Sequence, residues 1–221
     1  MPGEERDVRA VLFADLAGFT ALTEAHGDVG AADTAGRFAE LAASALAGDA
    51  RIVKTIGDAV MVLADGADAG IDAALAVLRS VDNESDFPGV RIGLHAGPVV
   101  ERAGDVFGAT VNVAARLTEH ARVGQLLTTG DLAELASEKD DVSTTTLGAI
   151  HLKNIGEPVA VYAIEVSSRR PTAQILDPVC RMFVDADDPP ARLPWRDRIW
   201  SFCSFECASA FSQDPDRYAN D

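Results

Sequence analysis

Residues 50–64 read ARIVKTIGDAVMVLA, two apolar, β-branched runs separated only by Gly57 and Asp58. A two-residue connection joins antiparallel strands, whereas parallel neighbours need a crossover of a dozen or more residues. The sheet of this chain therefore contains a hairpin, and the hairpin lies between helical segments. GFTALTEAHG and AADTAGRFAELAASALAG precede it with helical spacing, Phe38, Leu41, Ala42, Ala45 and Leu46 sharing one side, and AGIDAALAVLRSV follows it. Upstream, VRAVLFAD (8–15) is an apolar run ending in an acid and predicts a buried strand. Downstream, VRIGLHAGPVV predicts a strand, ERAGDVFG a loop, ATVNVAARLTEHA a helix, QLLTTG a strand, DLAELASE a short helix and VSTTTLGAIHLKNIGEPVAVYAIEV a closing hairpin. Helices alternating with strands, with hairpins mixed in, predict an α+β fold with a mixed or antiparallel sheet rather than a doubly wound parallel one.

The 221 residues carry a net charge of −16, which argues against general nucleic-acid binding and against anionic membrane surfaces. A bound polyanion such as a nucleotide then needs a local site with metal ions. No run approaches the length of a membrane span, and MPGEERDVRA is too charged for a signal peptide, so the expectation is a soluble cytoplasmic protein. The polar stretch SSRRPTAQ (167–174) reads as a linker between a domain over 1–166 and a second over 175–221. Beyond it lie both tryptophans and all three cysteines, and four of the ten prolines fall between Pro178 and Pro194. An odd cysteine count in a reducing compartment points to a metal site or free thiols rather than a disulfide framework.

Asp15 ends the first strand and Asp58 sits at the hairpin tip. With that strand beside the hairpin, the two carboxylates converge at one sheet edge. Two close acids together with substrate phosphates suit Mg²⁺ or Mn²⁺. Gly18, Phe19 and Thr20, just after Asp15, offer backbone N–H groups at a helix start, a cradle for phosphate. Taken singly, Asp15 is equally a helix cap, Asp58 a turn residue and Asp105 a loop aspartate. Asn112 and Arg116 lie four apart on one helix face; Arg116 either grips a phosphate in bidentate fashion or snorkels from a half-buried helix. Lys54 is a cation with no packing role on a hairpin otherwise made for a core.

In order, VLFADLAGFT, KTIGDAVMV, IGLHAGPV, GDVFGATVNVAARL and HLKNIGEPVAVYAI resemble the class III nucleotide cyclase catalytic domain, covering residues 6–166. The resemblance implies a ferredoxin-like βαββαβ core. It assigns Asp15 and Asp58 to two Mg²⁺ or Mn²⁺ ions per active site, Lys54 and Asp105 to the purine, Asn112 to the ribose and Arg116 to the transition state. A lysine donates to adenine N1 and a carboxylate accepts from the N6 amino group, whereas guanine sets O6 against Asp105. The implied reaction is adenylyl cyclase, ATP to 3′,5′-cyclic AMP and pyrophosphate. In the family the metal aspartates come from one protomer and the other four residues from its partner, so a head-to-tail homodimer is expected. The arm between Gly97 and Gly104 is shorter than in many family members. A catalytically silent nucleotide-binding regulator and a metal or redox sensor acting through the tail are the competing readings.

In the tail, DPVCRM (177–182), WSFCSFECASAF (200–211) and DPDRY (214–218) resemble the YHS domain, related to treble-clef metal-binding modules. Arg181 stands where glycine is usual, and no histidine occurs there. Cys180 with Cys203 and Cys207 gives three soft ligands that suit Zn²⁺ or Cu⁺, the fourth coming from water, a carboxylate or another chain. Otherwise SFECASAF is a helix whose cysteines are small core residues. His26, His95, His120 and His151 are scattered and form no ligand set; His95, within a strand, reads as a satisfied core residue.

Overall fold

A computed structural model describes residues 8–167 and 174–219. In chain order the elements are β1 (Val8–Leu16), α1 (Phe19–Ala45), β2 (Ala50–Ile56), β3 (Ala59–Ala64), α2 (Ala67–Asp82), β4 (Phe87–Pro88), β5 (Val90–Pro98), β6 (Val100–Arg102), β7 (Asp105–Phe107), α3 (Ala109–His120), β8 (Leu126–Thr129), α4 (Gly130–Ser137), β9 (Val142–Ile150) and β10 (Val159–Val166). The tail adds β11 (Gln174–Leu176), β12 (Met182–Asp185), β13 (Ala191–Trp195), β14 (Arg198–Phe202), α5 (Phe205–Gln213) and α6 (Pro215–Tyr218). Except for Ser167 and Gln174, the expected linker lies outside the described residues.

One seven-stranded sheet runs β2-β3-β1-β5-β8-β10-β9. Its first four strands are antiparallel neighbours and, with α1 and α2, make the βαββαβ core; β5 pairs parallel with β8, which renders the sheet mixed. The hairpin turns at Gly57, whose φ of 60° favours glycine. Alternation along the strands separates two faces. Leu12, Ala14, Val60, Val62, Ile92 and Leu94 pack with α1 and α2 in the main core. Val11, Met61 and Leu63 point the other way, toward Val106 of β7 and Ala114 of α3. There Gly93 admits α3 to close range: a Cβ at that position would lie 2.3 Å from the Thr118 nitrogen.

Two expectations need revision. The two helices before the hairpin form one element, kinked at Gly27 (φ 74°, ψ 172°), where the backbone leaves the helix and resumes. ERAGDVFG is not a plain loop. Arg102 pairs with Asp105 across a turn in which Ala103 and Gly104 both have positive φ, the backbone of a tight hairpin.

The tail has its own core of Val179, Cys180, Ala191, Trp200, Phe202, Cys207, Ala208 and Phe211. It also docks on the N-terminal domain. Met182 and Phe183 of β12 pair with Pro88 and Phe87 of β4, and Arg217 bonds Glu24 of α1 at 2.8 Å.

Candidate active site

Register places Asp15 and Lys54 on a single face of the main sheet. Asp15 pairs with Ala59 and Arg91, and Phe13 with Met61 and Gly93, so Asp15 lies on the α3 side with Met61. Lys54 reaches that side through an irregularity. Ile52 is opposite Val62 and packs in the main core, and simple alternation would send Lys54 after it. A bulge between Ile52 and Lys54 shifts the register and sets Lys54 opposite Met61 instead. One extra residue in a strand re-aims every side chain beyond it, and here it takes a cation out of an apolar core.

Asp15 and Asp58 meet. The Asp58 carboxyl lies near enough to raise the Asp15 pKa, and the Leu16 N–H donates to the Asp58 carbonyl at 3.2 Å. Burial lifts the Asp15 pKa to about 6; the Arg91 guanidinium, hydrogen-bonded to Asp15, pulls it down, and the nearby Asp58 charge pushes it up. Two carboxyls held together, one reluctant to ionise, are a donor set suited to a hard divalent cation. Lys54 and Asp105 also meet: Nζ donates to both carboxylate oxygens, at 2.7 and 2.8 Å. Lys54 and the Val106 N–H hold the Asp105 carboxyl below the usual range. Around this pair Ile56 and Phe107 are each 51% exposed, so the sheet face is uncovered at its β2–β3 end. Asn112 is exposed on α3, and Arg116 one turn later pairs with Glu119. Gly18 enters α1 with φ 78°, leading to half-buried Phe19 and exposed Thr20. His95 is satisfied by the Thr129 hydroxyl at 2.9 Å, and burial lowers its pKa.

The adenylate and guanylate cyclase catalytic domain model matches residues 1–166. The chain belongs to that family. Its cyclase domain is 37% identical over 163 residues to a pH-sensitive adenylate cyclase of Mycobacterium tuberculosis, covering 72% of this chain and 41% of that protein. It is 38% identical over 125 residues to an adenylate cyclase of Streptomyces griseus, covering 56% and 31%. The chain thus spans well under half the length of these relatives. Among solved structures, an adenylate cyclase of Trypanosoma brucei in its monomeric state shares the fold with a TM-score of 0.66 at 23% identity, covering 76% of this chain and 94% of that one. An adenylate/guanylate cyclase/hydrolase from Silicibacter pomeroyi aligns with a TM-score of 0.59 at 29% identity, covering 77% and 100%.

Sequence reasoning missed Arg91, whose place in a strand gave no sign that it would pair with Asp15 across β1–β5. It also missed the partner of the tail cysteines. His26, dismissed above as scattered, lies with Cys180, Cys203 and Cys207, all four ligand atoms within 4.8 Å of one another. This fourth candidate ligand stands on α1 of the cyclase domain. The helical reading of SFECASAF also holds, since Cys207 is buried in α5 within the tail core.

Proposed function

We propose that this chain is an adenylyl cyclase that converts ATP to 3′,5′-cyclic AMP and pyrophosphate at sites shared by two head-to-tail copies. The observation carrying this reading is that Lys54 and Asp105 are bonded together on the sheet face that also holds the Asp15–Asp58 pair. In the reaction the ribose 3′-OH attacks the α-phosphate and pyrophosphate departs. Lys54 donates to adenine N1 and Asp105 accepts from the N6 amino group. Asn112 orients the ribose. Arg116 exchanges Glu119 for the transferring phosphoryl and takes up its developing charge. The backbone at Gly18, Phe19 and Thr20 receives the phosphates. Asp15 and Asp58 would hold Mg²⁺ or Mn²⁺, which when bound neutralises phosphate charge and lowers the pKa of a coordinated hydroxyl. The exposed Ile56 and Phe107 supply an apolar border for the second copy.

The test is product identification by mass spectrometry with ATP or GTP and Mn²⁺, over a range of protein concentrations, with Asp58→Ala as the blank. Cyclic AMP whose specific rate rises with protein concentration and vanishes in the variant is expected. Full activity in a monomer refutes the shared site, and nucleotide binding without cyclic product makes the chain a silent regulator.

A further inference from the structure

We infer that His26, Cys180, Cys203 and Cys207 form a tetrahedral Zn²⁺ site that ties the C-terminal module to helix α1 of the cyclase domain. Nothing in the cyclase reaction uses these side chains, and the inference stands apart from the proposed activity.

The geometry fits one ion. The Sγ atoms of Cys180 and Cys203 are 3.3 Å apart, and those of Cys203 and Cys207 3.6 Å. The His26 Nε2 lies 3.6 Å from the Cys203 sulfur and 3.8 Å from the Cys207 sulfur. Tetrahedral coordination with Zn–S of ~2.3 Å and Zn–N of ~2.0–2.1 Å implies edges of about 3.8 Å between sulfurs and about 3.6 Å between sulfur and nitrogen. These four distances come within about 0.5 Å of such edges, and all four ligand atoms lie within 4.8 Å of one another. Three thiolates and an imidazole select a borderline-soft ion over Mg²⁺ or Mn²⁺, and the fourth ligand with its tetrahedral closure favours Zn²⁺ over Cu⁺.

The surroundings are built to hold the corners in place. Asp177 is wholly buried. Its carboxylate accepts from the N–H groups of Val179 at 2.7 Å, Cys180 at 3.3 Å and Cys203 at 2.7 Å, joining the two loops that present ligands. Cys203 and Cys207 straddle the start of α5, where Ser204 caps the Cys207 N–H and the helix end favours thiolate. On the other side, His26 is the last residue before the Gly27 kink in α1.

The clamp has a consequence for the cyclase domain. Beside the thiols, Arg181 lies against Gly18 so closely that a Cβ on that glycine would be 2.6 Å from the Arg181 Cβ. The ion would therefore fasten the tail over the turn that follows Asp15.

The test uses the full chain, purified under reducing conditions. About one zinc per chain is expected, with three thiols unreactive until a chelator removes it. Co²⁺ in its place should give thiolate charge-transfer bands and tetrahedral d–d bands. His26→Gln, on a half-exposed helical side chain, should fold, shift the d–d bands and weaken zinc by more than the roughly 10–100-fold that loss of an outer-sphere partner costs. Hydrogen exchange should show zinc protecting α1 around Glu24–Gly30 in the wild type and not in His26→Gln. Three freely reactive thiols with saturating Zn²⁺, a Cys180–Cys203 disulfide instead of metal, copper in preference to zinc, or unchanged zinc affinity in His26→Gln would each overturn the inference.

Discussion

Reversing the hydrogen-bond polarity of the two purine readers should reverse the preference between nucleotides. Guanine offers N1–H where adenine has a bare N1, and O6 where adenine has an amino group. Lys54→Glu supplies an acceptor for the first, and Asp105→Ser a donor for the second. Each mismatched polar contact is worth roughly 5- to 150-fold in discrimination. Lys54 and Asp105 keep 39% and 33% of their side-chain surface exposed, so water softens each mismatch toward the low end. The double variant should then lower the ratio of kcat/KM for ATP to that for GTP by roughly 25-fold or more, the product of two low-end factors. Each single variant should give an intermediate ratio. Loss of a partly exposed ion pair has little effect on folding, so thermal midpoints should stay near the wild-type value. The assay is the initial rate of cyclic AMP and cyclic GMP formation at matched protein and Mn²⁺. A ratio cancels changes in dimerisation or metal loading that affect both nucleotides alike. An unchanged ratio in an Asp105→Ala variant that still turns over ATP would refute Asp105 as a reader.

Further expectations rest on other parts of the fold. The raised Asp15 pKa means that the folded chain holds this proton more tightly than the unfolded one, so stability is lost as pH rises from about 4 through about 6, by at most on the order of 3 kcal/mol. Asp15→Asn should flatten that part of the profile in urea denaturation without divalent ions, and a profile of unchanged slope would contradict the burial argument. Gly18→Ala forces a side chain into a left-handed backbone (φ 78°) and against Arg181, which costs about 1–2 kcal/mol from the backbone alone; thermal unfolding checks it. Gly93→Ala sets a Cβ 2.3 Å from the Thr118 nitrogen and 2.4 Å from the Ala114 carbonyl, lifting α3 from β5 at about 1–3 kcal/mol, and cyclic AMP formation should fall as Asn112 and Arg116 move with the helix.

Much of this molecule is legible in the sequence, for identifiable reasons. The strands β1, β3 and β5 are apolar runs and α2 is strongly periodic, so local pattern and tertiary burial agree. The β6–β7 hairpin is hidden because its turn is Ala103-Gly104, without the asparagine or aspartate that usually marks left-handed backbone. The bulge before Lys54 has no local signature either; it follows from the requirement that a lysine not enter an apolar core while Ile52 does. Arg91 pairs with Asp15 through strand register, which no spacing rule reveals. His26 meets the cysteines only because the tail folds back on α1. The sequence order of the cyclase motifs nominates each candidate site residue, and three-dimensional register decides which of them touch.

The turn between β1 and α1 is where the two halves of the chain meet. Asp15 ends the strand that enters it. The Ala17 N–H donates to the Gly89 carbonyl at 2.8 Å, which ties the turn to the start of β5. The tail covers both ends of that tie, Arg181 over Gly18 and Phe183 over Gly89, where an added Cβ would lie 2.6 Å from the Phe183 ring. β12 meanwhile completes a sheet with β4, whose Phe87 belongs to the main core. Removing the tail would uncover the β4 edge and the glycines that are bare because tail side chains fill the space above them. The tail is thus part of the wall behind the proposed phosphate cradle. A change in its packing reaches Asp15 through two adjacent contacts and needs no long path through the core.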